Sequence, residues 1–395
     1  MKRILYIPAF RMPGGIPLAW RQLMNEKKRF VVAVVGVSFG VILMLFQLGI
    51  FQAFMRMVIR PIEAMQGELA MISRDFQYIM TTESFPERRL YQAAALPEVV
   101  AVYPVMLDYV SWRNPETGRQ CESALFGVRR FANPFVLPDV VAQEEVLSLA
   151  DGALYDEYST PDYGDVMALM RERDGELPGE INKRRIRVLG TFRMGQTLAA
   201  YAHILVGVET FRRLVDRPGT AIELGMIALR EGANAEEVAA HLNALLPDDV
   251  EVITREALIQ REKDYWQTNT PLGFIVTAGL IIAMFVGAVI VYQILYTDIN
   301  DHLREYATLK ALGMSDGFFL RLLLQEAAIL PLFGFAPGML LSAGLFHLAD
   351  TQGGLPTRLT VPDTLIVFAL TGIMCFTAGV LATRRLRAAD PADIF

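Results

Sequence analysis

The sequence predicts an α-helical membrane protein with four transmembrane helices and a large α+β extracytoplasmic domain between the first and second helices. Two observations predict this class. Each of four apolar runs supplies the roughly 20 helical residues that cross about 30 Å of hydrocarbon, and a polar segment of 215 residues separates the first run from the other three. A hydrophobic content of 53% with only 20% charged residues is also unusual for a purely soluble chain.

The predicted segments follow one another from a cytoplasmic start to a cytoplasmic end. They are an N-terminal helix at 1–29, transmembrane helices at 30–55, 271–296, 327–349 and 364–383, a polar domain with stalk ends at 56–270, a cytoplasmic coupling loop at 297–326, a short outer loop at 350–363 and a cytoplasmic tail at 384–395. The first run is too long for a signal-peptide core and has no small-residue cleavage site behind it. We therefore expect it to stay in the mature protein.

Basic residues beside the apolar runs predict that both termini are cytoplasmic. Seven Lys and Arg residues precede the first helix, and Arg384, Arg385 and Arg387 follow the fourth, whereas the short outer loop carries only Arg358. The polar domain has 23 Lys and Arg against 33 Asp and Glu, a net charge of −10. Long loops cross the membrane largely regardless of charge, so this sign does not bear on topology.

The polar domain alternates strand-like and helix-like runs, which predicts the α+β class. The strand-like runs are 99–105, 124–128, 185–192, 203–208, 222–229 and 250–253, and the helix-like runs are 87–96 and 234–246, the second with Asn234 as a candidate N-cap. The acidic stretch 143–182 is either a long surface loop or a separate subdomain. At the two ends, 56–70 and 255–270 are predicted to be helical and to continue the first two membrane helices as a paired stalk.

Two small-residue motifs lie inside the apolar runs. Gly36 to Gly40 reads G-x-S-x-G, the pattern of a serine-hydrolase nucleophile elbow, but the strand, turn and helix that this chemistry needs cannot form within a membrane helix. Gly36 with Gly40, and Gly334 with Gly338, instead have the small-xxx-small spacing that lets helices approach closely. The two interpretations left open are packing against a partner helix and a chance occurrence.

Other chemistry is not indicated by the sequence. The four histidines have no ligand spacing and no P-loop is present, so we expect no metal site, no cofactor and no nucleotide bound by this chain. The sequence has no basic patch with interleaved aromatic residues, so nucleic-acid binding is not predicted. It also has no nucleophile with an acid–base partner, so an enzyme is not predicted. Cys121 and Cys375 fall in different media and are not expected to pair, and a buried thiol at Cys121 is favoured over a link between subunits.

The predicted cytoplasmic loop contains a short amphipathic helix. Leu303, Leu309 and neighbouring apolar residues recur at helical spacing, and Gly313 suits the C-cap. One interpretation is a helix that rests on lipid headgroups. The other is a knob that docks into a soluble partner.

The run IVYQILYTDINDHLREYATLKALG at 290–313 resembles the signature of DevC-type permeases, a branch of the FtsX/MacB superfamily of ABC transporter membrane subunits. Three more stretches are similar to the same family: PLAWRQL at 17–23, YWQTNTPLGF at 265–274 and DPADIF at 390–395. The resemblance implies one helix, an extracytoplasmic domain and three further helices. It also implies a non-catalytic mechanical transmitter in the bacterial inner membrane that works as a homodimer with a separate ABC ATPase.

In the DevC branch the further partners are a periplasmic adaptor (membrane fusion protein) and a TolC-like outer-membrane channel, and the exported cargo is a glycolipid or other amphiphile. The alternative function within the superfamily is an FtsX-like transducer that activates a periplasmic cell-wall hydrolase. Carried over by position, the residues of the ATPase-coupling helix are Leu303, Glu305, Thr308, Leu309, Lys310 and Gly313. Cytoplasmic support is expected from Trp20, Arg21, Arg384 and Arg385, although topology and headgroup contact explain the last two equally well.

Overall fold

The structure, a computed structural model, describes residues 27–388 apart from 80, 82, 199, 217–219, 303–307, 309–313, 354–356 and 358–359. Only the main chain is described at 316, 319, 351–353 and 384–388. The chain divides into two compact units. We call Phe54–Pro271 the polar unit, and Met1–Ala53 with Leu272–Phe395 the helix unit.

Helices and strands are interspersed in the polar unit, and the elements described outside it are helices. The helices are α1 (Lys27–Glu63), α2 (Arg88–Ala93), α3 (Pro138–Ala142), α4 (Val166–Glu172), α5 (Val208–Val215), α6 (Ala235–Leu245), α7 (Arg255–Thr268), α8 (Pro271–Asp301), α9 (Asp316–Gly353) and α10 (Val361–Ala388). The strands are β1 (Leu69–Ser73), β2 (Phe85–Pro86), β3 (Val99–Arg113), β4 (Gln120–Val128), β5 (Gly152–Asp156), β6 (Leu177–Ile181), β7 (Arg184–Phe192), β8 (His203–Gly207), β9 (Ala221–Ile222), β10 (Leu224–Leu229) and β11 (Val250–Thr254).

In the part of the chain that the structure describes, four helices are long and apolar enough to cross a membrane, as the sequence predicts. The spans are Lys27–Glu63, Pro271–Asp301, Leu320–Asp350 and Val361–Thr383. Their shared core includes Val37 and Val41 of α1, Val291 of α8, Leu330 of α9 and Ala378 of α10. The helices extend beyond the uncharged runs: α8 continues to Asp301, and α9 begins at Asp316, 11 residues before the predicted start at 327. The added residues of α9 include Leu322 and Leu323, which are buried, so packing rather than absence of charge sets where the helix begins.

A nine-stranded sheet forms the centre of the polar unit, in the order β11-β1-β10-β3-β4-β8-β5-β7-β6. The bridge between Trp112 and Ile181 pairs β6 with β3, so the six strands from β3 to β6 close on themselves. β3 serves both parts of the sheet. Its residues up to Val105 pair with β10 and those from Met106 pair with β4. Trp112 is fully buried in the closed part, where its indole Nε1 donates to Tyr163 O at 3.1 Å.

The sheet is covered on both faces, which explains the apolar composition of β1. Leu69 and Met71 join one core cluster, together with Leu242 of α6. Ala70 and Ile72 join the second cluster, together with Leu258 of α7. A strand buried on both sides has no polar alternation, so its sequence resembles a helical run.

That ambiguity explains where the structure differs from the predicted stalk. The segment 56–70 was expected to be helical throughout, but α1 ends at Glu63 and β1 begins at Leu69. Gly67 makes the turn between them with φ of +112°, and a Cβ there would meet Ile227 O at 3.0 Å. The second stalk segment is helical over Arg255–Thr268, capped by Thr254, whose Oγ1 accepts from Ala257 N.

The acidic stretch 143–182 is neither a plain loop nor a separate subdomain. It contributes β5 and β6 to the closed part of the sheet, with α4 between them. Leu154, Tyr155, Leu177 and Ile181 are buried there. These four apolar side chains anchor short strands within a sequence that is otherwise acidic.

Candidate coupling and packing sites

The predicted coupling helix lies outside the described residues apart from Thr308, which is helical and exposed. Trp20 and Arg21 also lie outside them. Arg384 and Arg385 belong to the last turns of α10, where only the main chain is described. The roles assigned to all these residues stay predictions.

The four motif glycines all face helices of the same chain. A Cβ at Gly36 would meet Ile290 Cγ2 of α8 at 2.5 Å, and one at Gly40 would lie 3.5 Å from the Gly287 Cα. On the other side of α1, a Cβ at Gly334 would meet Val37 at 2.5 Å and one at Gly338 would meet Val41 at 2.9 Å. Glycine therefore permits α1 to lie close to both α8 and α9.

Several polar side chains in the described part of the bundle are satisfied by nearby groups. Ser38 is buried, and its Oγ lies 2.8 Å from Gly334 O and 2.7 Å from Val34 O. Near the other end of α1, Gln52 Nε2 donates to Asp363 Oδ1 at 3.4 Å. Asp363 also accepts from the Thr360 hydroxyl at 2.6 Å, which holds the first turn of α10. These contacts join helices and do not outline a polar path.

An ion-pair cluster closes the opposite end of the bundle, which we call the Arg29 end. Arg29 of α1 pairs with Asp301 and, at 3.8 Å, with Asp298, both on α8. His302 Nδ1 lies 3.7 Å from Asp298 Oδ1. Glu326 of α9 is the like charge that faces Asp298. The sequence analysis missed Glu326, although it lies on the same helical face as the buried Leu322, Leu323 and Leu330.

The polar unit contains a second set of converging groups that the sequence analysis missed. Thr197 Oγ1 lies 2.9 Å from His203 Nε2, and His203 Nδ1 lies 3.2 Å from Asp156 Oδ2. All three residues are buried. Asp156 also accepts from the main-chain N–H groups of Met194 and Gly195. The carboxylate acceptor favours the proton on Nδ1, so Nε2 accepts from the hydroxyl.

This order of hydroxyl, imidazole and carboxylate is that of a hydrolase triad, but the site has no room for a substrate. The cavity that Thr197 and His203 line has a volume of about 10 Å³, roughly that of one water molecule. The threonine hydroxyl is also engaged by Ala200, which donates its N–H at 3.2 Å. The three residues therefore fix the loop between β7 and β8.

A buried carboxyl on α7 holds the segment that follows β1. Glu262 is fully buried, and its Oε1 accepts from Ile79 N. Burial raises the pKa of Glu262 to about 7, and the Ile79 N–H, Trp266 and Arg261 partly offset this rise. Tyr78 stacks on Tyr265 with ring centroids 4.0 Å apart. The carboxyl is thus enclosed by an aromatic cluster.

Metal-binding groups do not assemble in the described part of the chain, where no cluster of three or more His, Cys, Asp or Glu side chains could hold an ion. Cys121 is a free thiol of intermediate exposure, 3.6 Å from Asp162 O, and is therefore less buried than we expected. Cys375 is buried and also free.

The geometry defines a multi-pass membrane protein whose helix bundle is separate from a large α+β domain inserted after the first helix. Two family models match this division: "MacB-like periplasmic core domain" at residues 30–245 and "FtsX-like permease C-terminal" at residues 277–391. The chain belongs to the family of ABC transporter permeases that combine these two domains. The predicted FtsX/MacB membership and the four-helix architecture are confirmed.

Individual relatives are also named as ABC transporter permeases. Uncharacterized ABC transporter permeases of Mycobacterium bovis and Mycobacterium tuberculosis are 24% identical over 384 residues, which covers 95% of this chain and 98% of theirs. Among solved structures, the periplasmic region of MacB from Actinobacillus actinomycetemcomitans aligns with a TM-score of 0.36 and 12% identity over 51% of this chain and 96% of its own. The extracellular domain of the noncanonic ABC-type transporter YknZ from Gram-positive bacteria aligns with a TM-score of 0.33 and 11% identity over 47% and 98%.

Proposed function

We propose that this permease is the membrane subunit of a tripartite ABC exporter and that it transmits ATP-driven motion from a separate ATPase to its polar unit. It works as a homodimer in the bacterial inner membrane, with both termini in the cytoplasm. A periplasmic adaptor and a TolC-like channel complete the assembly, and the cargo is a glycolipid or other amphiphile, as in DevC-type systems. The chain itself is non-catalytic.

One observation supports transmission rather than conduction. The buried hydroxyls of Ser38, Ser342, Thr371 and Thr383 each bond to a carbonyl about one turn earlier in the same helix. The buried hydroxyl of Thr357 bonds to Phe346 O at 3.1 Å. None of them is left to line a water-filled path, which an intramembrane conduit for a polar cargo requires. The sequence also lacks a P-loop, so the energy must come from another chain.

The length of α1 suits this role. It is a single helix from Lys27 to Glu63, and the boundary between the two units falls within it, at Ala53 and Phe54. A force applied near its start reaches the first residues of the polar unit without crossing a flexible linker. In the proposed exporter, the coupling helix at 303–313 receives that force from the ATPase.

The coupling step is tested by reversing chemistry on the predicted contact face. Leu309→Asp with Lys310→Glu is expected to abolish co-purification of the ATPase and export, because an apolar contact and a positive charge are both inverted. Leu309→Met with Lys310→Arg keeps both properties and is the matched control. Unchanged ATPase recovery with the first pair would show that docking lies elsewhere.

The second candidate function is the FtsX-like transducer, which the match of residues 277–391 favours. Purification of the tagged chain from its native membrane in mild detergent, followed by mass spectrometry, separates the two. An ABC ATPase with a periplasmic adaptor supports the exporter. An ATPase with a cell-wall hydrolase and no adaptor supports the transducer instead.

A further inference from the structure

Glu326 is a carboxyl placed in the interior of the bundle. Its exposed fraction is 1%, and among the residues that the structure describes neither Oε1 nor Oε2 has a hydrogen-bond partner. It lies within the third candidate membrane span, Leu320–Asp350. On the same face of α9, Leu322 and Leu323 lie one turn before Glu326 and Leu330 lies one turn after it, and all three are buried.

The charged groups that the structure describes around Glu326 do not stabilise a negative charge there. On α8 the facing group is Asp298, which has the same sign. The basic group of α1 at this end is Arg29, and it bonds to Asp298 and Asp301 rather than to Glu326.

Two further titratable groups on the surrounding helices are described. His302 contacts Asp298, and on α9 itself Arg321 is exposed. Along α10, the described side chains from Thr364 to Thr383 include no charged residue.

An ionised carboxylate in such a place costs several kcal/mol of desolvation, and no opposite charge among the described side chains offsets it. A protonated carboxyl avoids that cost. From the burial, the missing partners and the like charge of Asp298, we infer that Glu326 is a proton-binding site that keeps α9 packed against α1 and α8 while it is protonated. The bundle can open at the Arg29 end and hydrate Glu326 only with release of that proton, so opening is linked to pH.

Infrared spectroscopy of the full chain in lipid nanodiscs tests whether the proton is present. The Glu262→Gln background removes the buried carboxyl of the polar unit, whose pKa is raised to about 7. At pH 7 the C=O band of a protonated carboxyl is expected in this background and is expected to disappear when Glu326→Gln is added. An identical spectrum after that addition would mean that Glu326 is ionised, and the inference would fail.

Hydrogen–deuterium exchange of peptides covering 316–330 tests the link to packing. In the unaltered chain the opening equilibrium of this segment should rise about tenfold per pH unit while the closed form holds the proton, after correction for intrinsic exchange. Glu326→Gln, which mimics the neutral form, should remove this dependence. Gln325 is exposed, so Gln325→Glu with Glu326→Gln keeps the charge count and should behave like Glu326→Gln alone.

Two outcomes would overturn the link. Retention of the pH dependence in Glu326→Gln would assign it to another group. Protection that depends on Na⁺ at constant pH, without the infrared band, would make this a cation site. The inference does not depend on the cargo or on the partners proposed above.

Discussion

Replacement of Glu262 by Gln is expected to make the polar unit more stable at alkaline pH and to leave it nearly unchanged at acid pH. The carboxyl is fully buried, and burial raises its pKa from 4.5 to about 7. The folded chain therefore holds a proton between these two pH values that the unfolded chain has released. Stability from this group is present below pH 4.5 and is lost as the pH rises to about 7.

The size of the effect follows from the interval between the two pKa values. That interval is about 2.5 pH units, and each unit corresponds to about 1.4 kcal/mol, so the loss is about 3 kcal/mol. Gln keeps an oxygen that accepts from Ile79 N but does not ionise. For a unit of this size, a change of about 3 kcal/mol shifts the melting temperature by roughly 6–12 °C.

Thermal unfolding followed by tryptophan fluorescence measures this shift, since two of the three tryptophans, Trp112 and Trp266, lie in the polar unit. We expect Glu262→Gln to match the unaltered chain at pH 5 and to exceed it at pH 8. Glu256→Gln is the matched control, because Glu256 lies on the same helix with its side chain 75% exposed. Parallel curves for both chains from pH 5 to pH 8 would refute the reasoning.

Three further changes test packing. Gly36→Val should lower the melting temperature of the detergent-solubilised chain, because overpacking lowers the free energy of unfolding by about 1–3 kcal/mol. Gly344→Val is the control, because a Cβ there meets nothing within 4 Å. Trp112→Ala should cost about 3–5 kcal/mol in denaturant unfolding, since it empties the closed part of the sheet; a loss below about 1 kcal/mol would contradict its core position. His203→Ala should lower stability by about 1–3 kcal/mol, whereas His241→Ala, at an exposed position, should be neutral in the same melts.

The strands of the polar unit show which parts of the fold local sequence patterns predict. Runs of branched and aromatic residues at 99–105 and 250–253 correspond to β3 and β11, although β3 extends to Arg113. The N-cap at Asn234 is confirmed, with its side chain accepting from Glu236 N and Glu237 N. By contrast, β5 and β6 are five residues each within an acidic stretch. They are stabilised by pairing, β5 with the more distant β7 and β8, and β6 with its neighbour β7 and with the distant β3.

The sequence by itself determined the four apolar helices and the place of the polar domain between the first two, because membrane insertion sums local transfer free energies over about 20 residues. It also determined the family, through the run at 290–313 and the three shorter stretches. Only the tertiary structure decided which polar groups are buried together. Asp156 meets His203 across 47 positions, and Glu326 faces Asp298 across 28 positions. The cost of burying a charge depends on neighbours that are distant in the chain, so no local pattern reveals it.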